Sequence, residues 1–572
     1  MKVSDYINSF LVSRDIKYVF EMSGGMITHL LDSMHKGGNL KIISMRHEQS
    51  AAFAADVVGR LSGKPGVALA TSGPGATNLI TGIGSSYFDS SPTLFITGQV
   101  NRNEIKGNRP IRQLGFQETD IVSITKNITK ASWQIRDENQ IPKFFHKAYD
   151  LSTSKRRGPV LLDIPMDVQR SEIQPTPIKL PNHTKYKIKN KAFIKNLLLS
   201  IKKSKKPLIL AGGGIQSSLA TELFRKAVYM LKIPVVNSLM AVDVLPYDDQ
   251  FRVGLIGSYG NRWANLTLAN SDFVLVLGSR LDVRQTGSRI KEFKSGKTIF
   301  HVDCDAGEMN NRITGCIELN SNLDDFLFTL TTMVDENDFS IMQPWMDEIN
   351  DLKKTFPDIM EQENSTGINP NKLMHSISKY STLAKVFVTD VGQHQMWAAQ
   401  SLELDHNQRF ITSGGMGSMG FGLPASIGAA FCVAPSPVVL IAGDGGFQTN
   451  SQELQTVIHN NLPIKMIILN NNCHGMVRQF QEDLFEKRYQ STLWGYSAPS
   501  FEKLANAYGI KSKKISSENE INAALKWLWT DPSEPMLLEV MVNTYTNAYP
   551  KISFGQPNYE MYPKKNINPK MK

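Results

Sequence analysis

Cysteine is scarce in this chain, with 4 in 572 residues: Cys304, Cys316, Cys432 and Cys473. None forms a C-x-x-C pair, so a disulfide framework is excluded and free thiols in a reducing compartment are expected. Long apolar runs are also missing. No stretch approaches the roughly 20 residues needed to span a bilayer. Met1 to Phe20 carries Lys2, Asp5, Arg14, Asp15 and Lys17, unlike a secretory signal. The expected location is cytoplasmic, without membrane contact. Nucleic-acid motifs and short repeats are absent as well. The net charge of +10 comes from Lys and Arg spread along the chain, concentrated only at Lys202 to Lys206 and the C-terminal end. That pattern reads as solvated basic surface rather than a nucleic-acid face.

The composition is that of a globular protein, 41% hydrophobic and 20% charged, and 572 residues exceed what one core can organise. The pattern divides into three α/β blocks. Residues 1–172 alternate helical stretches with apolar strands such as Val67 to Thr71, Thr93 to Thr97 and Val160 to Ile164. A polar, proline-bearing stretch from Ile173 to Lys185 reads as a linker. Residues 191–342 contain strands at Pro207 to Ala211, Pro234 to Asn237, Phe273 to Gly278 and Thr298 to Asp303. Residues 366–545 contain strands at Val386 to Thr389, Val438 to Ala442, Ile464 to Leu469 and Met536 to Val540. Residues 546–572, with Pro550, Pro557, Pro563 and Pro569, read as a tail that packs on the surface or caps a site. Strand–helix alternation in each block predicts three doubly wound parallel sheets, an α/β fold.

One motif is specific. Gly443-Asp444-Gly445 is followed, after 24 residues, by Asn470-Asn471. Between them lie a helical pattern (Ser451 to Asn460), a Leu-Pro break and an apolar strand. Asp444 and Asn471 then meet at the carboxyl edge of one parallel sheet, where α/β folds bind ligands. A carboxylate and an amide oxygen suit Mg²⁺, which also takes oxygens from a diphosphate. The glycines allow close approach of backbone N–H groups to phosphate.

Other segments gather around this one. Arg46 to Asp56 is a helix of small residues, implying close packing, with Glu48 at its start among apolar neighbours that would partly desolvate it. Gln393 and His394 open a helix after a strand, where diphosphate oxygens are favoured. Ser413-Gly414-Gly415-Met416-Gly417-Ser418-Met419-Gly420-Phe421-Gly422 is a glycine frame around two methionines. Gly278-Ser279-Arg280-Leu281-Asp282-Val283-Arg284 and His301-Val302-Asp303 each follow a strand. Arginines there suit a dinucleotide diphosphate and carboxylates suit its ribose.

Together these segments resemble thiamin diphosphate enzymes, and most nearly the acetohydroxyacid (acetolactate) synthase family. The resemblance covers nearly the whole chain. It implies a pyrimidine-binding domain, a central FAD-binding domain and a diphosphate- and Mg²⁺-binding domain. It implies that Glu48 hydrogen-bonds the aminopyrimidine and that Met419 is the wedge bending the cofactor. The Gly417 carbonyl becomes an acceptor for the cofactor amine, and the Cys473 carbonyl a third metal ligand beside Asp444 and Asn471. Gln393, His394, Gly443, Gly445, Gly446 and Met476 fall beside the cofactor, and Gly25 and Gln117 beside the reacting centre. Phe116, Met166 and Phe480 line the substrate side. Arg156, Gly213, Gly214, Ser238, Leu239, Ile256, Tyr259, Gly278, Arg280, Asp282, Arg284 and Asp303 fall at flavin positions.

The implied activity is decarboxylation of pyruvate and transfer of its two-carbon unit to an acceptor carbonyl. The implied assembly is a homodimer or homotetramer with the site shared between subunits; a regulatory subunit is left undetermined. Two positions depart from the family: Phe480 stands where the synthases carry Trp, and Met166 where they carry Lys. A reshaped acceptor pocket follows, so a nucleotide-linked keto-deoxy sugar is an alternative acceptor. Three more activities compete with carboligation: an FAD-dependent pyruvate oxidase, a 2-keto acid decarboxylase and a non-catalytic cofactor-binding subunit.

Overall fold

The computed structural model describes residues 1–174, 186, 188–363 and 365–565. Most of the stretch read as a linker, and the end of the C-terminal tail, lie outside the described residues. Three six-stranded sheets, each wholly parallel, carry the fold. The first contains β1 (Tyr18–Met22), β2 (Lys41–Ser44), β3 (Gly66–Ala70), β4 (Thr93–Gln99), β5 (Ala131–Gln134) and β6 (Pro159–Pro165), in the order β2-β1-β3-β4-β6-β5. The second contains β7 (Pro207–Ala211), β8 (Val235–Asn237), β9 (Arg252–Leu255), β10 (Phe273–Leu277), β11 (Thr298–Asp303) and β12 (Ile317–Asn320), in the order β12-β11-β10-β7-β8-β9. The third contains β13 (Val386–Thr389), β14 (Arg409–Ile411), β15 (Val438–Gly443), β16 (Ile464–Asn470), β17 (Lys511–Ile515) and β18 (Met536–Met541), in the order β14-β13-β15-β16-β18-β17.

The first and third sheets therefore share one topology. The middle sheet has the order of dinucleotide-binding folds, with its switch point between β7 and β10. Inner strands such as β3, β7, β10 and β16 are buried along their whole length. Their unbroken apolar runs reflect helices on both faces. Each face of the middle and third sheets has its own apolar cluster.

One cluster joins the first and third domains. It is built around two helices of small residues, Glu48–Ser62 and Gly422–Val433. They touch so closely that a Cβ on Gly428 would stand 2.3 Å from the Ala54 carbonyl oxygen. Beyond residue 342, helix Gln343–Thr355 still belongs to the middle core, where Trp345 Nε1 donates to the Pro207 carbonyl at 3.1 Å. The tail folds back on the middle domain. Its two short strands, Lys551–Ile552 and Met561–Tyr562, pair antiparallel, and the Ile552 N–H donates to the Ser258 carbonyl at 2.9 Å.

Candidate active site

β15 and β16 are neighbours, with Gly443 opposite Leu469. Asp444 therefore opens its helix beside the turn carrying Asn471, and the two residues are 2% and 7% exposed. Asn471 Nδ2 donates to Gln393 Oε1 at 3.2 Å, and its Oδ1 accepts the Cys473 N–H at 3.3 Å. Gln393 Nε2 in turn donates to the Thr546 carbonyl at 3.0 Å. The amide oxygen of Asn471 is thus turned away from Gln393. Asn470 does something different: its Nδ2 donates to Glu539 Oε1 at 2.8 Å, tying β16 to β18. Burial pushes the Cys473 thiol up to about 12, so the side chain is a neutral thiol near pH 7.

Among the buried polar atoms here with no hydrogen-bond partner in the described residues are Asp444 Oδ2 and His394 Nε2. Buried groups of this kind are normally paired, so the two fit a bound cation and polyanion. Burial pushes the Asp444 carboxyl up to about 6, against a hydrogen bond from Tyr496. A divalent cation beside it would reverse that shift. Burial lowers His394 to about 4, so its imidazole is neutral near pH 7. Glycines admit the ring: a Cβ on Gly392 would stand 2.8 Å from its Cε1, and one on Gly443 2.9 Å from its Nδ1. A Cβ on Gly445 would stand 3.3 Å from Met419 Cε, so the methionine lies against the Asp444 turn.

The glycine frame that carries Met419 has left-handed backbone at Gly417 (φ +68) and Gly420 (φ +83). Asp390 holds its far end, accepting the Gly420 N–H at 3.1 Å and the Gly422 N–H at 2.7 Å. A Cβ on Gly446 would strike Asp390 Oδ1 at 2.3 Å, so the Asp444 turn and this carboxylate are packed together. Met476 and Phe480 ride on helix Gly475–Leu484, with Phe480 52% exposed.

In the first domain, Glu48 begins its helix and is 6% exposed. Its Oε2 accepts from Asn78 Nδ2 at 3.0 Å, and a Cβ on Gly75 would stand 3.3 Å from Oε1. Gln117 has φ +65, and its carbonyl accepts from Ser72 Oγ at 2.8 Å. A non-glycine residue held in that region marks a constrained site. Gly25 opens a short turn after β1, and Phe116 is 79% exposed. Met166 begins helix Met166–Arg170, whose Asp167 is held by Arg102 Nε at 2.7 Å.

The middle domain holds a cavity at the carboxyl ends of its strands, lined by Gly213, Gly214, Ser238, Leu239, Ile256, Tyr259, Gly278, Arg280, Asp282, Arg284, Asp303 and Arg156. The structure thus brings together, at the switch point, every residue expected at a flavin position. Asp282 has a second job, since its Oδ1 accepts the Arg284 N–H at 2.8 Å and caps helix Val283–Thr286. Arg156 is paired with Asp305 and Glu308.

The comparisons with known proteins agree along the chain. Residues 1–124, 194–330 and 390–540 match the N-terminal, central and C-terminal domains of thiamine pyrophosphate enzymes, the two outer ones described as TPP-binding. The acetolactate synthase large subunit of Lactococcus lactis is 37% identical over 553 residues, covering 96% of this chain and 93% of that protein. That of Porphyra purpurea is 34% identical over 562 residues, with 96% and 93% covered. A probable one from Methanococcus aeolicus is 35% identical over 556 residues, with 93% and 90% covered. The chain belongs to the acetolactate synthase large-subunit family of thiamine pyrophosphate enzymes.

Three further residues stand beside these groups: Asp390, Tyr496 and Asn78. Asp390 ends an apolar strand just before a glycine turn, a signal as strong as the one that marked Asp444. Tyr496 reaches Asp444 and accepts from Gln448 Nε2 at 3.2 Å. Its distance along the chain hid it. Asn78, the partner of Glu48, follows Gly73 and Gly75 and has no motif of its own in the sequence.

Proposed function

We propose that this protein decarboxylates pyruvate and joins the resulting two-carbon unit to the carbonyl of a second 2-keto acid. The observation that carries this reading is the carboxyl edge of the third sheet. There Asp444 and Asn471 meet in a buried turn, and Asp444 Oδ2 and His394 Nε2 have no partner among the described residues. Asp444, the Asn471 amide oxygen and the Cys473 carbonyl would hold Mg²⁺, and His394 with the glycine turn would hold a diphosphate. Thiamin diphosphate, when bound, supplies the carbon nucleophile and the electron sink. The protein's own task is to position and protonate. With Oε2 of Glu48 taken by Asn78, Oε1 is left to share a proton with the pyrimidine ring. Met419, anchored in a frame tied to Asp390, would be the apolar support for the cofactor.

We place FAD in the switch-point cavity as a structural group with no net redox role. We also infer a homodimer. Phe116, Phe480, Trp494 and Tyr545 are 79%, 52%, 52% and 56% exposed, large apolar side chains that a second copy of the chain would cover. The cysteines are free, in keeping with a reducing, cytoplasmic setting. Among the described residues no helix is long and apolar enough to cross a membrane.

The test is product analysis with isotope-labelled pyruvate, thiamin diphosphate, Mg²⁺ and FAD, alone and with a panel of acceptors. Labelled acetolactate and CO₂ are expected from pyruvate alone. Free acetaldehyde as the sole product would identify a decarboxylase, and anaerobic flavin bleaching an oxidase. The half-exposed Phe480 favours one second reading, a bulkier acceptor. Product formed only with a nucleotide-linked keto sugar would establish it.

A further inference from the structure

The loop from Ser413 to Gly422 is a wall with two sides. At one end Gly414 and Gly415 line the switch-point cavity together with Phe88, Asp89, Ser90 and Met240. Near its other end Met419 lies against the Asp444 turn. A buried carboxylate grips each end. Asp390 holds Gly420 and Gly422 from within the third domain. Asp89 reaches over from the first domain: its Oδ1 accepts the Gly415 N–H at 2.6 Å and its Oδ2 the Gly414 N–H at 3.3 Å.

Asp89 is itself fixed. Arg60 Nη2 donates to its Oδ2 at 2.9 Å, and the Asp89 side chain is 1% exposed. Arg60 also pairs with Asp56 at 2.6 Å and donates to the Thr412 carbonyl at 2.7 Å, just before the loop. The middle domain arrives at the same point, since a Cβ on Gly414 would stand 2.4 Å from Met240 Sδ. All three domains therefore meet at the Asp89–Gly414–Gly415 junction. Isolated buried ions are costly, and a cluster of two carboxylates and one guanidinium is not needed for the mere cohesion of an apolar interface.

We infer that Asp89 is a positioning residue that couples occupancy of the switch-point cavity to the placement of Met419, and so to the affinity for thiamin diphosphate. The inference rests on the reading of that cavity as a flavin site. A ligand there touches residues 88–90 and 414–415 together and fixes their spacing. The two N–H···carboxylate bonds pass that spacing to the loop, which turns at Gly417 and Gly420. By linkage the coupling is reciprocal: thiamin diphosphate tightens the flavin site by the same factor.

The experiment titrates the cofactor-stripped, full-length protein with thiamin diphosphate and Mg²⁺ by tryptophan fluorescence, without and with saturating FAD. In the wild type FAD should tighten thiamin diphosphate on the order of tenfold. In Asp89→Asn that factor should fall toward one, while flavin fluorescence still reports FAD binding. Gly415→Ala attacks the same contact from the loop side without altering charge, because its Cβ would stand 2.9 Å from Asp89 Oδ1. It should give the same loss. Hydrogen exchange on the wild type supplies a measurement independent of either variant's folding: FAD should slow exchange across residues 413–422. Absence of any flavin binding to the wild type would overturn the flavin reading itself. Flavin binding without a change in thiamin diphosphate affinity, an unchanged factor in both variants, or no protection of the loop would overturn this inference alone.

Discussion

The buried neutral imidazole of His394 makes a sharp test of the diphosphate site. The residue is 4% exposed, and burial lowers its pKa to about 4 from an ordinary value of 6.5. A histidine depressed in this way contributes stability above the unfolded pKa, and loses it as pH falls toward the folded value. Between about pH 7 and pH 5 the unfolded chain takes up a proton at this ring that the folded chain refuses, which costs about 2 kcal/mol. Asp163, Asp390 and Asp444, each pushed up to about 6 by burial, act in the opposite sense. They bind protons in the folded state first, so their contribution grows as pH falls through that value. The total stability curve therefore masks His394.

A difference measurement removes the mask. Urea unfolding of the cofactor-free protein and of His394→Gln should be compared at both pH values. The gap between wild type and variant should shrink by about 2 kcal/mol at the lower pH, since only the wild type bears the histidine cost. A gap independent of pH to within a few tenths of a kcal/mol would refute the reasoning. The ring would then not be a buried neutral donor, and its place opposite a diphosphate would fall with it.

Glu48→Gln should lower turnover by about a hundred- to ten-thousand-fold with thiamin diphosphate binding nearly intact; full activity measured at saturating cofactor would sink the proton-sharing assignment. Gly428→Ala puts a Cβ 2.3 Å from the Ala54 carbonyl oxygen and must push the two domain-joining helices apart. It should destabilise by about 1–3 kcal/mol in denaturant titrations despite a helix-propensity gain of ~1 kcal/mol; wild-type stability would contradict the packing argument. Phe480→Trp should shift the ratio of products from competing acceptors by roughly tenfold or more; an unchanged ratio would remove Phe480 from the acceptor pocket.

Most inner strands were legible from short, largely apolar runs: Pro207–Ala211, Thr298–Asp303 and Val386–Thr389 begin and end where the pattern places them. The edge strands were not named. β2, β12 and β17 have mostly exposed or half-exposed residues, and β17 reads Lys-Ser-Lys-Lys-Ile. A strand that buries little surface leaves little signal in its composition. The site was legible where glycines force a turn, as at Gly443 and Gly445. A carboxylate that acts through backbone N–H groups without a glycine motif beside it, such as Asp89, looks like an ordinary loop acid until the fold brings its partners close.

The shared topology of the first and third sheets gives the site a logic that no single motif shows. The helices Glu48–Ser62 and Gly422–Val433 occupy the same place in the two domains, each between the second and third strands of its sheet, and they pack on one another. Their preceding loops are therefore equivalent, and these deliver Glu48 in one domain and Met419 in the other. The loop after β3, with Gly73 and Gly75, is likewise the counterpart of the loop after β15, with Gly443 and Asp444. The loop after β1, with Gly25, matches that after β13, with Gln393 and His394. Each domain thus uses the same set of carboxyl-edge loops. On the proposed reading, the first would carry the carboxylate that shares a proton with the cofactor ring, and the third the methionine beneath the cofactor and the groups that hold its cation and diphosphate. A cofactor that performs the covalent chemistry needs one partner for its ring and another for its charge. Two copies of one topology, with different residues in equivalent loops, would provide both, from different subunits of the proposed dimer.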